Sequence, residues 1–244
     1  CLPRPRWKSV PPGSSAWSWL RSAHIWQADN CSLGIPEPAR SDLRLLYRIF
    51  AILKMNSTII LIGPLGAGKT TVGQLWAKKL DLPFCSIDTV REAYYRKVGY
   101  DDAIASRIAA SPQGLQGVLR YSKPFEVQMV EQVLADHHGI IDFGASNSVY
   151  DDEALFARVE NALAPYPNVI LLLPSLDIDE SVEILKNRLT QMLIEAGKDY
   201  SDELFELNQY FVKHPSNHRL AKRVIYTKDK TPNDILEEIV QELV

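Results

Sequence analysis

The segment GPLGAGKTT, residues 63–71, fits the phosphate-binding pattern GxxxxGK[ST] at every required position. Its glycines let the backbone bring several N–H groups close to a phosphate without a Cβ in the way. Lys69 supplies a positive charge for the β- and γ-phosphates, and Thr70 offers a hydroxyl to Mg²⁺. The segment therefore predicts that the chain binds a nucleoside triphosphate. The residues expected to contact it are Gly63, Leu65, Gly66, Ala67, Gly68, Lys69, Thr70 and Thr71.

The residues around this loop have the order strand, loop, helix. Residues 58–62 (TIILI) are a short apolar run that ends at the first glycine, which is typical of a buried strand. After the loop, apolar residues recur at helical spacing. They are Val72, Leu75, Trp76 and Leu80. A glycine-rich turn that binds nothing is the alternative, and this order favours the phosphate site.

Two aspartates lie at the carboxyl ends of predicted strands, as the carboxylates of a phosphoryl-transfer site would. Asp142 ends the apolar run 140–142, where a carboxylate can order Mg²⁺ near the phosphates. Asp88 ends the second predicted strand, where it can orient an acceptor hydroxyl or take its proton. Capping of a loop or of a helix N-terminus is the alternative role of these aspartates. Gly144 either lets an acceptor approach the backbone or makes a turn.

Five apolar runs alternate with amphipathic segments in residues 55–244. The runs predicted to be strands are 58–62, 84–87, 140–143, 169–173 and 224–227. The predicted helices are 69–80, 89–97, 101–110, 124–137, 151–164, 179–196, 202–213 and 232–243. Because each parallel crossover needs a helix to return the chain to the same edge, this alternation predicts an α/β P-loop NTPase fold, a five-stranded parallel sheet flanked by helices.

Two connections between predicted strands are longer than a simple crossover requires. Residues 89–138 separate the second and third strands, and residues 174–222 separate the fourth and fifth. A phosphotransferase must keep water away from the γ-phosphate. From their placement we expect 89–138 to be an acceptor-binding insertion and 174–222 to contain a lid over the nucleotide.

The N-terminal part differs in composition from the rest of the chain. Residues 1–40 hold six of the 15 prolines and four of the five tryptophans. Met55 stands directly before the first predicted strand, so we expect residues 1–54 to be a disordered or non-native extension and residues 55–244 to be the P-loop domain. A transit peptide and a tryptophan-rich interaction module are the alternatives. Residues 42–54 are compatible with a short amphipathic helix.

Charge and composition exclude several classes of partner. After residue 54, 19 Lys/Arg stand against 27 Asp/Glu, and an acidic domain is poorly suited to nucleic acid. No run of about 18 apolar residues is present, so no membrane span is predicted. Three cysteines without a CxxC pair argue for a reducing compartment. We expect a cytoplasmic protein, monomeric or weakly dimeric, without nucleic-acid or membrane partners.

The sequence from residue 57 to residue 243 resembles the shikimate kinase family. Residues 63–88 (GPLGAGKTTVGQLWAKKLDLPFCSID) are similar to the family's first loop, helix and second strand. Residues 168–189 (NVILLLPSLDIDESVEILKNRL) are similar to its fourth strand and following helix. Residues 213–240 (KHPSNHRLAKRVIYTKDKTPNDILEEIV) are similar to its last helix, strand and helix. The resemblance implies a nucleoside-monophosphate-kinase-like fold that uses ATP and Mg²⁺ to phosphorylate a small hydroxylated acceptor.

The resemblance also implies roles for individual residues. Lys69 matches the lysine that binds phosphate, Thr70 the metal-binding hydroxyl, and Asp88 the aspartate that holds the acceptor hydroxyl. Arg188 matches an arginine that lies against the adenine, and Lys213 takes the place of an arginine that binds the acceptor's carboxylate. The candidates are thus Lys69 and Asp88 for catalysis, Asp88, Gly144 and Lys213 for the acceptor, Thr70 and Asp142 for the metal, and Arg188 with the loop for the nucleotide.

Several acceptor residues depart from the family pattern. The family has D-x-D where residues 86–88 read SID, and its glycine triplet is reduced to Gly144. The family carries an arginine after a phenylalanine in the acceptor insertion. If Phe125 is that phenylalanine, Glu126 replaces the arginine and would repel a carboxylate. Lysine at position 213 also lacks the planar fork of an arginine.

These departures argue against shikimate as the acceptor and leave the phosphate-binding residues whole. No R-P-L lid signature follows Arg188, so Lys198 or Arg219 would have to serve as the lid cation. The sequence therefore predicts an ATP-dependent small-molecule kinase whose acceptor it does not identify. The alternative is a nucleotide-binding protein or slow ATPase that phosphorylates no small molecule.

Overall fold

The computed structural model describes residues 58–199 and 201–243. The expectations for residues 1–54, including a helix at 42–54, lie outside the described residues, and the division of the chain into domains stays a prediction. In the described part of the chain no helix is long and apolar enough to cross a membrane.

The five predicted strands form one sheet in the order β2-β3-β1-β4-β5. They are β1 (Ile59–Ile62), β2 (Phe84–Ser86), β3 (Ile140–Asp142), β4 (Asn168–Leu173) and β5 (Arg223–Tyr226). Every neighbouring pair is parallel. Each predicted strand agrees with the observed one to within one residue at either end, because buried β-branched runs bounded by turns give a strong local signal.

Helices flank this sheet, as the sequence predicts. They are α1 (Lys69–Leu80), α2 (Ile87–Lys97), α3 (Asp102–Ala109), α4 (Gly114–Asp136), α5 (Glu153–Leu163), α6 (Ile178–Glu195), α7 (Asp202–Lys213), α8 (Ser216–Leu220) and α9 (Pro232–Leu243). A 3₁₀ helix, Ala145–Ser148, follows β3. Aspartate side chains accept hydrogen bonds from the first backbone N–H groups of three helices, which satisfies donors that the helix leaves without partners. They are Asp101 at α3, Asp152 at α5 and Asp177 at α6.

The two faces of the sheet bury separate apolar cores, as a doubly covered parallel sheet requires. In β1, Ile60 and Ile62 join a core with α2, α4 and α5. Ile59 and Leu61 point to the opposite face and join a core with α1 and α9. Successive strand residues point to opposite faces, so every residue of β1 is buried. The predicted five-stranded parallel P-loop fold is confirmed.

One helical prediction is wrong at its start by much more than a turn. Helix α4 begins at Gly114, ten residues before the predicted start, and Pro124 lies inside it. Because a proline has no N–H to donate, it is typical of the first turn of a helix, which is why the predicted helix begins there. The buried side chains of Val118 and Leu119 instead stabilise the preceding segment as part of the helix. Helix α2 begins two residues before its predicted start, at Ile87, and α5 begins two residues after its predicted start, at Glu153. Helix α8 was not predicted, because five residues are too few to show a helical period.

Candidate nucleotide and acceptor site

The phosphate-binding loop leaves the carboxyl end of β1, which lies between β3 and β4. In open parallel sheets, ligands bind at this edge, at the point where the connections from neighbouring strands leave in opposite directions along the sheet. Gly63 has a φ of 138° and Gly68 has a φ of 95°, values that side chains other than glycine rarely adopt. Helix α1 begins at Lys69, directly after this turn. The positive end of its dipole therefore lies at the loop, which suits an anion.

The Lys69 side chain folds back over the loop. Its Nζ donates hydrogen bonds to the carbonyl oxygens of Gly63 at 2.9 Å and Pro64 at 3.0 Å. Burial lowers the pKa of the Lys69 ammonium, and the nearby carboxylates of Asp142 and Asp88 act in the opposite direction. A polyphosphate would add further negative charge beside this buried cation and stabilise its charged form, so the ammonium is suited to phosphate binding.

Thr70 and Asp142 lie together at the end of β3. Asp142 pairs with Leu61 in the register of β1 and β3, and the Thr70 Oγ1 donates to its Oδ2 at 2.6 Å. Asp142 is 1% exposed. A hydroxyl and a buried carboxylate are the hard oxygen donors that Mg²⁺ prefers, and Mg²⁺ sites in phosphoryl-transfer proteins use one or two such carboxylates with phosphate oxygens. The residues present therefore fit Mg²⁺.

Arg188 lies on the other side of the loop, on α6. Its Nη1 donates to the carbonyl oxygen of Gly66 at 3.3 Å and to the Thr227 Oγ1 at 3.5 Å. Burial lowers the pKa of this half-buried guanidinium. The structure places Arg188 beside the loop, and contact with adenine stays a prediction.

Asn208 of α7 holds the tip of the loop, and no sequence signal identified it. Its Oδ1 accepts from the Leu65 N–H at 2.9 Å, and its Nδ2 donates to the Leu65 carbonyl oxygen at 3.2 Å. These two bonds connect residues that are 143 positions apart in sequence. The Leu65 N–H, which the sequence predicts to contact phosphate, is directed to Asn208 in this structure.

We expect Asn208→Leu to weaken nucleotide binding and to lower the free energy of unfolding by about 1–3 kcal/mol, because it leaves a Leu65 donor and acceptor without these partners. Urea denaturation measures the stability and isothermal titration calorimetry measures ATP binding. The matched control is Gln209→Leu, at the exposed neighbouring position of α7. Equal effects of the two substitutions would contradict the role of Asn208.

Asp88, Arg91 and Gly144 lie together at the carboxyl edge of β2 and β3. Asp88 occupies the first turn of α2 and pairs with Arg91 one turn later. A Cβ built on Gly144 would lie 2.6 Å from the Asp88 Oδ1 and 2.7 Å from an Arg91 nitrogen. Burial acts to lower the pKa of Arg91, and the charges of Asp88 and Glu126 outweigh it, so the pKa is raised. Sequence reasoning missed Arg91, although its i,i+3 spacing from Asp88 indicates a helical ion pair.

Glu126 forms a second charged pair next to this group. It is fully buried; its Oε2 lies 2.8 Å from the Lys123 Nζ, and its Oε1 accepts from the Ser146 Oγ at 2.7 Å. Burial lowers the pKa of the Lys123 ammonium, and Glu126 opposes that effect. Because Lys123 balances its charge, Glu126 repels an anionic acceptor less than the sequence alone suggests.

Two other cationic side chains, predicted to contact the acceptor or to form the lid, have protein partners in this structure. Lys213 forms an ion pair with Asp179 of α6, with a distance of 2.9 Å between Nζ and Oδ1. Arg219 forms two hydrogen bonds to Glu153, at 2.8 and 3.1 Å. Their roles at an acceptor or a lid stay predictions.

Comparisons with known proteins agree with the resemblance in the sequence. No protein-family model matches the chain. The chain is 27% identical over 184 residues to a shikimate kinase of Flavobacterium psychrophilum, covering 74% of this chain and 95% of that protein. It is 28% identical over 193 residues to a shikimate kinase of Enterococcus faecalis, covering 76% and 98%.

Among solved structures, the chain is similar to the shikimate kinase from Acinetobacter baumannii in complex with shikimate. The TM-score is 0.51 at 19% sequence identity, with 79% of this chain and 96% of that chain covered, which is a likeness of fold. All seven curated proteins that match are named shikimate kinase. The chain is therefore similar in sequence to shikimate kinases and shares their P-loop fold.

Proposed function

We propose that the protein transfers the γ-phosphate of ATP to a hydroxyl group of a small metabolite. The observation that carries this proposal is the arrangement around one loop. Three groups lie at the same sheet edge: the ammonium of Lys69, the Thr70–Asp142 pair and the carboxylate of Asp88. Burial lowers the pKa of Lys69, and the carboxylates of Asp142 and Asp88 both act to raise it. The kinase relatives support the same reaction class.

The loop and Lys69 bind the triphosphate. Backbone N–H groups of residues 66–71 and the N-terminus of α1 surround the phosphates, and Lys69 exchanges its two carbonyl partners for phosphate oxygens. Thr70 and Asp142 would hold Mg²⁺, which supplies charge neutralisation at the phosphate oxygens when bound. Hydrogen-bond donors that are already fixed where negative charge develops lower the free-energy barrier of the transfer, because they do not have to reorganise during the reaction.

Asp88 positions the acceptor. Its carboxylate accepts a hydrogen bond from the acceptor hydroxyl, whose oxygen attacks the γ-phosphorus in line with the bond to the β–γ bridging oxygen. The bond to the bridging oxygen breaks, ADP leaves with that electron pair, and the hydroxyl proton passes to Asp88. The products are ADP and a phosphomonoester of the acceptor.

Shikimate is not the acceptor that these residues favour. Position 213 carries a lysine paired with Asp179, and position 126 carries a buried glutamate. Neither side chain offers a carboxylate the bidentate fork of an arginine. The phosphate-binding residues depart from the family pattern much less than the acceptor residues do.

The test is a transfer assay with γ-³²P-labelled ATP, Mg²⁺ and a cellular metabolite extract. Label on a small organic molecule is expected. Label that appears only as inorganic phosphate would contradict the proposal and would favour the second candidate, a slow ATPase, which is motivated by the departures at the acceptor residues.

Gly144→Ala should reduce transfer to the acceptor by about 10²-fold, because the new methyl group displaces Asp88 and Arg91 from the acceptor position. Gly144 has a φ of −59° and a ψ of 151°, so alanine adds no backbone strain. Steady-state kinetics with the labelled acceptor measures the loss, and calorimetry should give an ATP affinity within about twofold of the wild type. Wild-type transfer by this variant would exclude Gly144 from the acceptor site.

A further inference from the structure

The side-chain amide of Asn147 is buried without a hydrogen-bond partner. Asn147 is 0% exposed and lies in the 3₁₀ helix Ala145–Ser148, directly after β3 and Gly144. Neither its Nδ2 nor its Oδ1 has a hydrogen-bond partner in this structure. Buried side-chain polar groups in proteins almost always have such partners, so this amide requires an explanation.

The side chains on both sides of Asn147 form hydrogen bonds within the protein. The Ser146 Oγ donates to Glu126 at 2.7 Å, and the Ser148 Oγ donates to Asn217 at 2.7 Å. The Asn147 backbone is also fixed, since its N–H donates to Gly144 at 3.0 Å and its carbonyl oxygen accepts from Tyr150 at 3.0 Å. The two serine hydroxyls and the Asn147 backbone are thus hydrogen-bonded, and the Asn147 amide is not.

The amide is directed toward the candidate acceptor residues. A Cβ on Gly144 would meet the Asn147 Oδ1 at 2.6 Å, the Asp88 Oδ1 at 2.6 Å and the Arg91 Nη2 at 2.7 Å. These three side chains therefore converge over the backbone of Gly144. The Asp88 side chain is 14% exposed and that of Arg91 is 8% exposed, so Asp88 is the more exposed of the two charged side chains beside the amide.

The charges around this point balance without a ligand. Arg91 pairs with Asp88, and Lys123 pairs with Glu126. Arg91 also interacts electrostatically with Glu126 and Lys123, and Asp88 with Lys69, which Asp142 also faces. The neighbourhood thus holds three cations and three carboxylates, and Asp151, which also acts on Lys123, pairs with His214 at its edge. A ligand carboxylate would add an unbalanced negative charge to this buried group, which is costly, whereas a neutral ligand would not.

We propose that Asn147 is an acceptor-binding residue and that the acceptor is an uncharged polyol or sugar. An amide offers one acceptor oxygen and two donor hydrogens, which complement the hydroxyl groups of such a molecule. In the complex one acceptor hydroxyl binds Asp88 and receives the phosphate, and a neighbouring hydroxyl binds the Asn147 amide. This assignment rests on the kinase function proposed above and specifies the acceptor class.

The experiment starts from the labelled phosphomonoester formed in the metabolite extract. The product is purified, its phosphate is removed with a phosphatase, and the released acceptor is passed over an anion exchanger at neutral pH. A neutral polyol or sugar is expected in the unbound fraction. An acceptor retained as a carboxylate would overturn the inference and leave the kinase function standing, whereas absence of any labelled metabolite would overturn the kinase function itself.

Two asparagine variants then test the role of Asn147 with that acceptor. Asn147→Leu should raise the KM for the acceptor about tenfold or more and leave the KM for ATP within about twofold. Its melting temperature should stay the same or rise, because the substitution removes an amide that has no protein partner.

Asn217→Leu is the matched control. This asparagine is also buried, but its amide is satisfied by Ser148 and by the Phe211 carbonyl oxygen at 2.7 Å. Its replacement should lower the melting temperature and leave the KM for the acceptor within about twofold. An unchanged acceptor KM in Asn147→Leu would assign the amide a structural role, such as binding a buried water, and would overturn the proposal.

Discussion

Lys69→Met is expected to reduce phosphoryl transfer by about 10³-fold or more, because methionine keeps the length of the side chain and removes its charge. Lys69 is 8% exposed, and its ammonium binds only carbonyl oxygens of the described loop. ATP binding should weaken by roughly 10- to 100-fold, since hydrogen bonds from a charged group contribute about 1.5–3 kcal/mol. The labelled-ATP assay measures transfer, and calorimetry measures binding.

The matched control for this prediction is Lys79→Met. Lys79 lies on the same helix, is exposed, and binds the Asn233 Oδ1 at 2.8 Å, away from the loop. Its replacement should leave transfer within about twofold of the wild type. Circular dichroism and urea denaturation should show that both variants are folded. If Lys69→Met retained full transfer, the loop would not be the site of phosphate chemistry.

Gly63→Ala is expected to destabilise the fold by about 3 kcal/mol or more and to impair nucleotide binding. Gly63 has a φ of 138°, and a Cβ there would lie 2.5 Å from the carbonyl oxygen of Leu172 in β4. Neither the strained dihedral nor the clash with a buried strand can relax by a rotamer change. The loop must therefore move away from the end of β1. Urea denaturation without nucleotide measures the loss of stability.

Gly68→Ala separates the effect of backbone strain at positive φ from the effect of the clash with Leu172. Gly68 also has a positive φ, of 95°, but a Cβ there would meet no heavy atom within 4 Å. Only backbone strain remains in this variant, so its free energy of unfolding should fall by about 1–2 kcal/mol. Equal losses for the two variants would show that the contact with Leu172 contributes nothing at Gly63.

The strands and the phosphate loop were predictable because their signals are local. Residues 58–62 are a buried run that ends at the loop, and Lys69 begins the helix where the pattern requires it. The same locality applies to the position of Asp142 at the end of β3, whereas its contact with Thr70 joins residues 72 positions apart. These positions depend on neighbours within about ten residues, so no knowledge of the tertiary contacts was needed.

The rest of the candidate site depends on contacts that sequence patterns do not carry. Asn208 lies 143 residues from the loop that it holds, and the missing partners of Asn147 are visible only once the surrounding packing is known. Arg91 was missed because α2 was predicted to begin at residue 89, which left Asp88 outside the helix and hid the pairing. The ion pair of Lys213 with Asp179 joins α7 to α6 and has no local signature.

Isothermal titration of ATP into the full chain, with Mg²⁺ present, tests the central claim most directly. Saturable binding at a single site is expected, weakened in Lys69→Met and unchanged in Lys79→Met. If this titration and a parallel titration of GTP both detected no binding, the loop would not be a nucleotide site, and the proposed phosphoryl transfer would be contradicted.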